Sequence, residues 1–511
     1  MTPAPESLYF PARNSTAWRG NAPGRGVEMD YKWRCLIAVC FGSYMATMDF
    51  SMVNVALPTL SKEFDQPPDT VVWAALTSSL VVTGLTLTVG RIGDLFGRKR
   101  VYMLGWTIFT IGLLAGGFTD SIGQLIGTRI IQAIGVSMAI ANANALVTHA
   151  FPDEERGRAL GMTGAVVGAG LASGPIFGGL ILGVADWHWL FFARVPIGLV
   201  ALVLAHFLIR ETAGAAAGQR KIDVPGALAI FFTLSTTLAA VNRGSSWGWT
   251  SPAVLGGFAI GIVALAAFLR IESRSAAPVV SLALFKMRTF SVSVAALVLN
   301  FAGQSAVTFL MPFYLVNVRD FSTGQSGAIL ATVPLMMLIL SPFSGSFADR
   351  HQLKHQTTVG SALVTIGLLS LATIHEDSWV PLIMARLALI GIGTSIFASP
   401  NSSQIMGSVP RAMLGTASAS VATSRNIGNA TGLAIASAVL VAVASHVSGV
   451  SGVRADRMPP SALLDGVRVS FLVAASVSSL SVVAQLLFPR SAPRIISATA
   501  VQPQEQTAGA K

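Results

Sequence analysis

Gly90-Arg91-Ile92-Gly93-Asp94-Leu95-Phe96-Gly97-Arg98-Lys99-Arg100 carries five charges in eleven residues and lies between two apolar runs, 71–89 and 101–118. A connection this short does not cross a bilayer, so the two runs form a helical hairpin whose turn stays on one side. Four of the five charges are Lys or Arg, which assigns that side to the cytoplasm. A shorter echo, Gly345-Ser346-Phe347-Ala348-Asp349-Arg350, follows another apolar run with the same Gly-x-x-x-Asp spacing. The hairpin fixes the topology, and the echo says that the fold is built twice.

The whole composition agrees with a membrane protein. Of 511 residues, 52% are hydrophobic and only 11% charged, and the mean hydropathy is +0.65. A soluble chain has no interior large enough to hide that much apolar surface, and the apolar residues come in runs near the ~20 residues that a membrane helix needs. A net charge of +11 invites a nucleic-acid reading. The basic residues concentrate instead in segments on one side of the spans, the pattern of a multi-pass protein, so no nucleic-acid partner is expected. Cys35 and Cys40 both fall in the first run and read as small apolar filler.

Fourteen apolar runs can be marked: 34–58, 71–90, 101–118, 123–148, 160–183, 195–210, 226–241, 252–270, 290–316, 325–347, 356–374, 379–404, 414–444 and 466–488. An even number of crossings puts both termini in the cytoplasm. Trp33, Trp73, Trp187, Trp189, Trp247, Trp249 and Trp379 fall at or near run ends, where amphipathic rings prefer to sit. Repetition goes beyond the echo. Asp94 precedes Arg129 in the fourth run much as Asp349 precedes Arg386 in the twelfth, and each Arg leads into a stretch containing Gly and Ser. The expected organisation is a cytoplasmic tail (1–32), a six-helix bundle (33–210), an inserted helix pair with flanking loops (211–289), a second six-helix bundle (290–488) and a second cytoplasmic tail (489–511). Two related halves around a midplane site is a recurrent transporter plan.

Asp49 is the first candidate for function, an acid well inside a span. An ionised carboxylate at a bilayer centre costs about 2.5–3.5 kcal/mol, so such groups face a cavity or a partner. There Asp49 can load and unload a proton as the cavity switches sides. An idle carboxyl near the outer interface is the alternative. Arg129 must likewise be satisfied in mid-span, by a functional or a structural partner. In the fifth run Gly164, Gly168, Gly174, Gly178 and Gly179 give smooth faces for close helix contact, and Pro175 removes a backbone hydrogen bond and bends the span. Generic packing explains the same glycines.

Several of these stretches resemble a known family. Gly90 to Arg100 resembles the signature loop between helices two and three of the major facilitator superfamily. Met48-Asp49-Phe50-Ser51-Met52-Val53-Asn54-Val55-Ala56-Leu57-Pro58 resembles the first-helix motif of its fourteen-span drug:proton antiporters. Leu125 to Gly135, with Arg129, resembles the fourth-helix motif, and Gly170 to Gly179 the fifth-helix motif of exporters. The resemblance implies an all-α integral membrane protein: the major facilitator fold, two six-helix bundles with an inserted two-helix hairpin, fourteen transmembrane helices in all. It implies proton-coupled efflux of hydrophobic or amphipathic small molecules by alternating access, as multidrug antiporters do, with Asp49 and Arg129 in proton coupling. Gly90, Asp94, Gly97, Arg98 and Arg100 form the gating loop, and the glycines with Pro175 form the antiporter helix. Asp349, Arg386 and Arg425 are second-half counterparts.

Departures from the family pattern narrow the cargo. The tenth run has no acid before Asp349, Arg194 stands where the family commonly places Asn, and the second loop is depleted to Arg350 and Lys354. One buried acid against several arginines favours neutral, zwitterionic or singly charged amphipathic substrates. A dedicated exporter of one metabolite, or a proton-coupled importer, is the alternative. No Gly-x-x-x-x-Gly-Lys phosphate loop is present, so ATP is not the expected driver. A proton entering down 100 mV releases about 2.3 kcal/mol. One pH unit adds about 1.4 kcal/mol, and together they support a gradient of roughly several hundred-fold for one-for-one exchange. The seven His are scattered, His149, His206, His351 and His446 show no metal-ligand spacing among themselves, and no nucleophile stands with a base, so neither an enzyme nor a cofactor or metal site is expected. The partners are protons, lipid and a small molecule, and the chain is expected to act as a monomer in the cell membrane.

Overall fold

A computed structural model describes residues 30–66, 68–211, 223–275, 278–279, 281–351, 355–448 and 459–487. The C-terminal tail, almost all of the N-terminal tail and Lys354 lie outside the described residues.

The hairpin at Gly97 forms as its sequence requires. Helix α1 spans Tyr31–Glu63, α2 Trp73–Phe96 and α3 Arg98–Gly116. One residue separates α2 from α3. Gly97 has φ +105°, open to a residue without a Cβ, and its N–H closes the last turn of α2 on the Gly93 carbonyl at 3.0 Å. Helix α4 (Ile122–Ala150) starts on a Ser121 cap, and α5 (Arg156–Val184) carries Pro175 inside it. The short α6 (Val195–Leu208) follows a single helical turn, Trp189–Phe192. Asp223 caps α7 (Val224–Trp247) and Ser251 caps α8 (Pro252–Glu272), each accepting from a backbone N–H three residues on. The remaining long helices are α9 (Arg288–Phe313), α10 (Thr332–His351), α11 (Gln356–Leu371), α12 (Val380–Gly407), α13 (Leu414–Ser448) and α14 (Pro460–Leu487).

Twelve stretches among the described residues are long and apolar enough to cross a membrane. Two of the fourteen expected runs fall short of that standard. Helix α3 opens on three consecutive cations, and α11 has only 16 residues. The expected interfacial belt also needs one correction. Trp379 is 72% exposed, but Trp187 is 3% exposed and packs against Phe64 and Phe191, so its ring belongs to the interior.

Helices α1–α6 pack on one another, and α9–α14 do the same. Helices α7 and α8 pack mainly on each other, and α7 also lies on α2 and α13. Arg243 of α7 is held there between the rings of Trp73 and Trp247, 4.7 and 5.4 Å from their centroids. The two six-helix groups meet along two seams, α2 on α13 and α5 on α10.

Candidate functional site

Three charged side chains meet inside the first helix group. Asp49 on α1 is 5% exposed, and Arg129 on α4 and Arg194 at the start of α6 are each 1% exposed. Nη1 of Arg129 donates to both carboxylate oxygens of Asp49 at 3.1 Å. Nη1 of Arg194 donates to the Asp49 Oδ1 from the other side. Gln132, one turn beyond Arg129, accepts from the same Nη1 and donates to the Gly112 carbonyl at 2.9 Å. Nε of Arg129 donates to the Ala74 carbonyl at 3.2 Å, which ties the cluster to α2. Two guanidiniums and one carboxylate leave a net charge of +1, and Nη2 of Arg194 is buried without a partner. Asp49 lies 18 residues into α1, about 27 Å from its start at 1.5 Å per residue. Lys32 at that start pairs with Glu155 in the α4–α5 turn at 2.7 Å, so the cluster belongs to the half of the molecule away from the basic loops.

The opposite end holds two clamps. Asp94, at the end of α2, accepts from the backbone N–H groups of Gly415 and Thr416 at 2.8 and 2.9 Å and from the Thr416 hydroxyl. These are unpaired donors at the start of α13, where the helix dipole also favours a carboxylate. Arg98 pairs with Asp94 at 2.8 Å and donates to the Arg411 carbonyl at 2.8 Å. Asp349, at the end of α10, accepts from the backbone N–H groups of Gly157 and Arg158 at 2.8 and 2.7 Å, at the start of α5. In each repeat the Gly four residues earlier lets the helices touch. A Cβ on Gly90 would meet the Gly415 carbonyl at 2.6 Å, and one on Gly345 would fall against the Gly157 carbonyl. Arg100 takes no part in the clamp and pairs with Glu211 at 3.3 Å on the surface.

The glycines of α5 divide between two faces. Gly157, Gly161 and Gly168 lie against α10, at Asp349, the Ser341 carbonyl and the Pro334 carbonyl; Gly164 is only in ordinary contact with Ser341. Gly170, Gly174 and Gly178 lie against α1, at Thr47, Ser51 and Met52. Gly179 has open space where a Cβ would be, so its assignment to the close-packed helix face is corrected. Mid-helix glycines place α5 closely against both α1 and the second helix group.

A family model described as Major Facilitator Superfamily matches residues 39–433. The chain belongs to the major facilitator superfamily. This major facilitator chain is 33% identical over 474 residues to the riboflavin transporter RibZ of Clostridioides difficile (strain 630), covering 92% of this chain and all of the relative. It is 30% identical over 409 residues to the multidrug resistance protein Stp of Mycobacterium tuberculosis (strain CDC 1551 / Oshkosh), covering 80% of this chain and 75% of that one. It is 29% identical over 439 residues to the cephamycin export protein CmcT of Amycolatopsis lactamdurans, covering 85% and 90%. Among solved structures, the human organic anion transporter MFSD10 matches with a TM-score of 0.62 at 14% identity, covering 89% of this chain and 99% of that chain. The proton:xylose symporter XylE matches at 0.61 and 14%, covering 90% and 96%. At such identity the likeness is one of fold.

The structure of this major facilitator protein brings Asp49 and Arg129 together and leaves Arg386 and Arg425 apart from them. Arg386 is six residues into α12, partly buried, with its Nη1 unpartnered. Arg425 is partly buried, with its guanidinium 5.2 Å from the centroid of Phe301. A cation at mid-span costs about 2.5–3.5 kcal/mol, and a ring offsets only about 0.5–2 kcal/mol of that. Sequence reasoning noted Arg194 as a departure but not as a partner of Asp49. Its signal was the charge imbalance itself: a cation in an apolar connection, with one buried acid for it to seek.

Proposed function

We propose that this chain is a proton-coupled exporter of amphipathic small molecules that works by alternating access, with Asp49 as the proton carrier and Arg129 and Arg194 as its ion-pair partners. The observation that carries this reading is the buried Asp49–Arg129–Arg194 cluster. A carboxylate this deep keeps its charge through the guanidiniums that face it. A proton arriving from the far side neutralises the carboxylate, loosens both arginines and frees α1 against α4 and α6. Discharge to the other side restores the pairs. Among the described residues, the hydrogen bonds joining the two helix groups run from the clamps up to the Asn426–Thr83 contact of 3.0 Å at about mid-depth. That is the arrangement of a carrier closed on the cytoplasmic side, and breaking both clamps opens it there.

With this reading go fourteen crossings, two six-helix bundles (33–210 and 290–488) with an inserted pair between them (211–289), cytoplasmic termini, and a monomer in the cell membrane. In its support, α3 follows α2 after one residue and packs lengthwise on α4. The resistance and export proteins among the relatives agree with outward transport.

A second reading, transport of a single metabolite such as riboflavin, is favoured by the full-length match to RibZ. Proteoliposomes with an imposed pH gradient separate the two. Purified wild type and Asp49→Asn are challenged with riboflavin and with a panel of lipophilic drugs. Gradient-driven movement of several unrelated compounds by wild type alone supports the exporter. Movement of riboflavin alone selects the second reading, and gradient-driven transport by Asp49→Asn removes Asp49 from the mechanism.

A further inference from the structure

We propose that Arg425 binds an anionic group on the transported molecule, so that flat aromatic compounds bearing one negative charge are the preferred cargo. The inference rests on the transport reading above and adds the substrate class to it. Arg425 is eleven residues into α13, about 16 Å from the Asp94 clamp, which is mid-depth in a bilayer about 30 Å thick. No carboxylate pairs with it among the described residues, and its side chain makes no hydrogen bond there. Its Nε is buried and unpartnered. The Asp49 cluster has no negative charge to lend, since it already carries one cation too many.

The surroundings suit a ligand better than a fixed partner. The next residue, Asn426, donates to Thr83 of α2 at 3.0 Å, so this turn of α13 lies at the seam between the two helix groups. The seam is where the groups part during alternating access. On the other side is the ring of Phe301 from α9, a flat apolar face in contact with the guanidinium. An aromatic anion entering here pairs its charge with Arg425 and lays its rings on apolar surface beside Phe301, which answers both features at once. An arginine kept only for packing against Phe301 needs no charge, and that difference can be measured.

Two probes sharing one ring skeleton test the proposal, 1-anilinonaphthalene-8-sulfonate and its uncharged parent N-phenyl-1-naphthylamine. Their affinities for the purified full-length protein are read by fluorescence, taking the wild-type signal against that of Arg425→Gln. Wild type is expected to bind the sulfonate about tenfold more tightly than the parent. Arg425→Gln should erase that preference and leave the parent's affinity unchanged, while Arg425→Lys should retain most of it. The ratio is taken within one sample, so partial misfolding does not mimic the effect. Equal loss of both probes in Arg425→Gln, or no preference in wild type, overturns the proposal. Sulfonate binding through Arg425 without gradient-driven transport of either probe leaves the site standing and removes the exporter reading for these compounds.

Discussion

Asp94 and Asp349 are related by an exchange of partners: each ends a helix in one group and caps the first amides of a helix in the other. Asp94 closes α2 onto Gly415 and Thr416, and Asp349 closes α10 onto Gly157 and Arg158. The two are not equal. Asp94 also holds Arg98 and the Thr416 hydroxyl, whereas the hydrogen bonds of Asp349 go to backbone amides. The seam is therefore fastened more strongly on the side of the fuller loop.

Replacing either acid should shift the molecule toward the state open at the basic loops. A hydrogen bond to a charged group is worth about 1.5–3 kcal/mol. Loss of one such bond already moves the equilibrium roughly tenfold. Asp94→Ala should open the seam further than Asp349→Ala and slow transport at least about tenfold. Paramagnetic labels on cysteines replacing the exposed Glu154 and Arg350 report the separation directly. Unchanged label distances together with normal transport would reduce the loop to a marker of topology.

Asp49→Asn should keep the protein folded and in the membrane while abolishing gradient-driven transport. The amide preserves the shape and one acceptor but cannot cycle a proton. Both variants leave two buried guanidiniums without a counter-charge, and Asp49→Ala is harsher because it also removes the acceptor and the volume of the side chain. Stripping one partner from a buried pair costs about 3–5 kcal/mol. Thermal unfolding in detergent should place Asp49→Ala well below Asp49→Asn. Equal melting of the two would mean that the retained amide oxygen gives the arginines nothing that water does not already supply.

The two arginines are equally buried but should differ in what their loss costs. Arg129 holds both oxygens of Asp49, Gln132 and the Ala74 carbonyl, so Arg129→Met removes the tie between α4, α1 and α2. Arg194→Met leaves Asp49 paired and brings the cluster to neutrality. Arg129→Met is expected to lower the melting temperature by several degrees more than Arg194→Met. A larger loss from Arg194→Met would show that α6, not α4, carries the acid.

What the sequence disclosed follows the range over which each feature acts. The Gly-x-x-x-Asp echo was legible because both residues lie one turn apart on one helix, and the structure gives both copies the same task. The helix positions were legible from apolar run length, but not every end: α7 runs six residues past the expected 241, α14 starts six before the expected 466, and the run 325–347 is broken at Ala331. The partnership of Asp49 with Arg194 was not legible, because it depends on how α1 meets the start of α6. Nor was the division of the α5 glycines, since spacing gives the faces but not the neighbour waiting at each one. Gly178 and Gly179 adjoin in sequence, yet only the first meets α1.

That division supplies a graded test along one helix. A Cβ at Gly174 would fall against Ser51 Oγ and 2.9 Å from the Met48 carbonyl, where backbone cannot yield. At Gly178 the nearest atom is the Met52 Cγ at 3.1 Å, which a flexible thioether can move, and at Gly179 nothing lies within 4 Å. Leu substitutions should therefore lower the melting temperature most at 174, less at 178 and hardly at all at 179. Gly161→Leu behaves differently in kind, because its obstruction is the Ser341 carbonyl across the α5–α10 seam. It should leave the first helix group stable but block closure at the basic loops, so labels there report the open distance while transport stops. Leu at 179 being as damaging as Leu at 174 would show that α5 rotates during the cycle and brings its open face against a neighbour in another state.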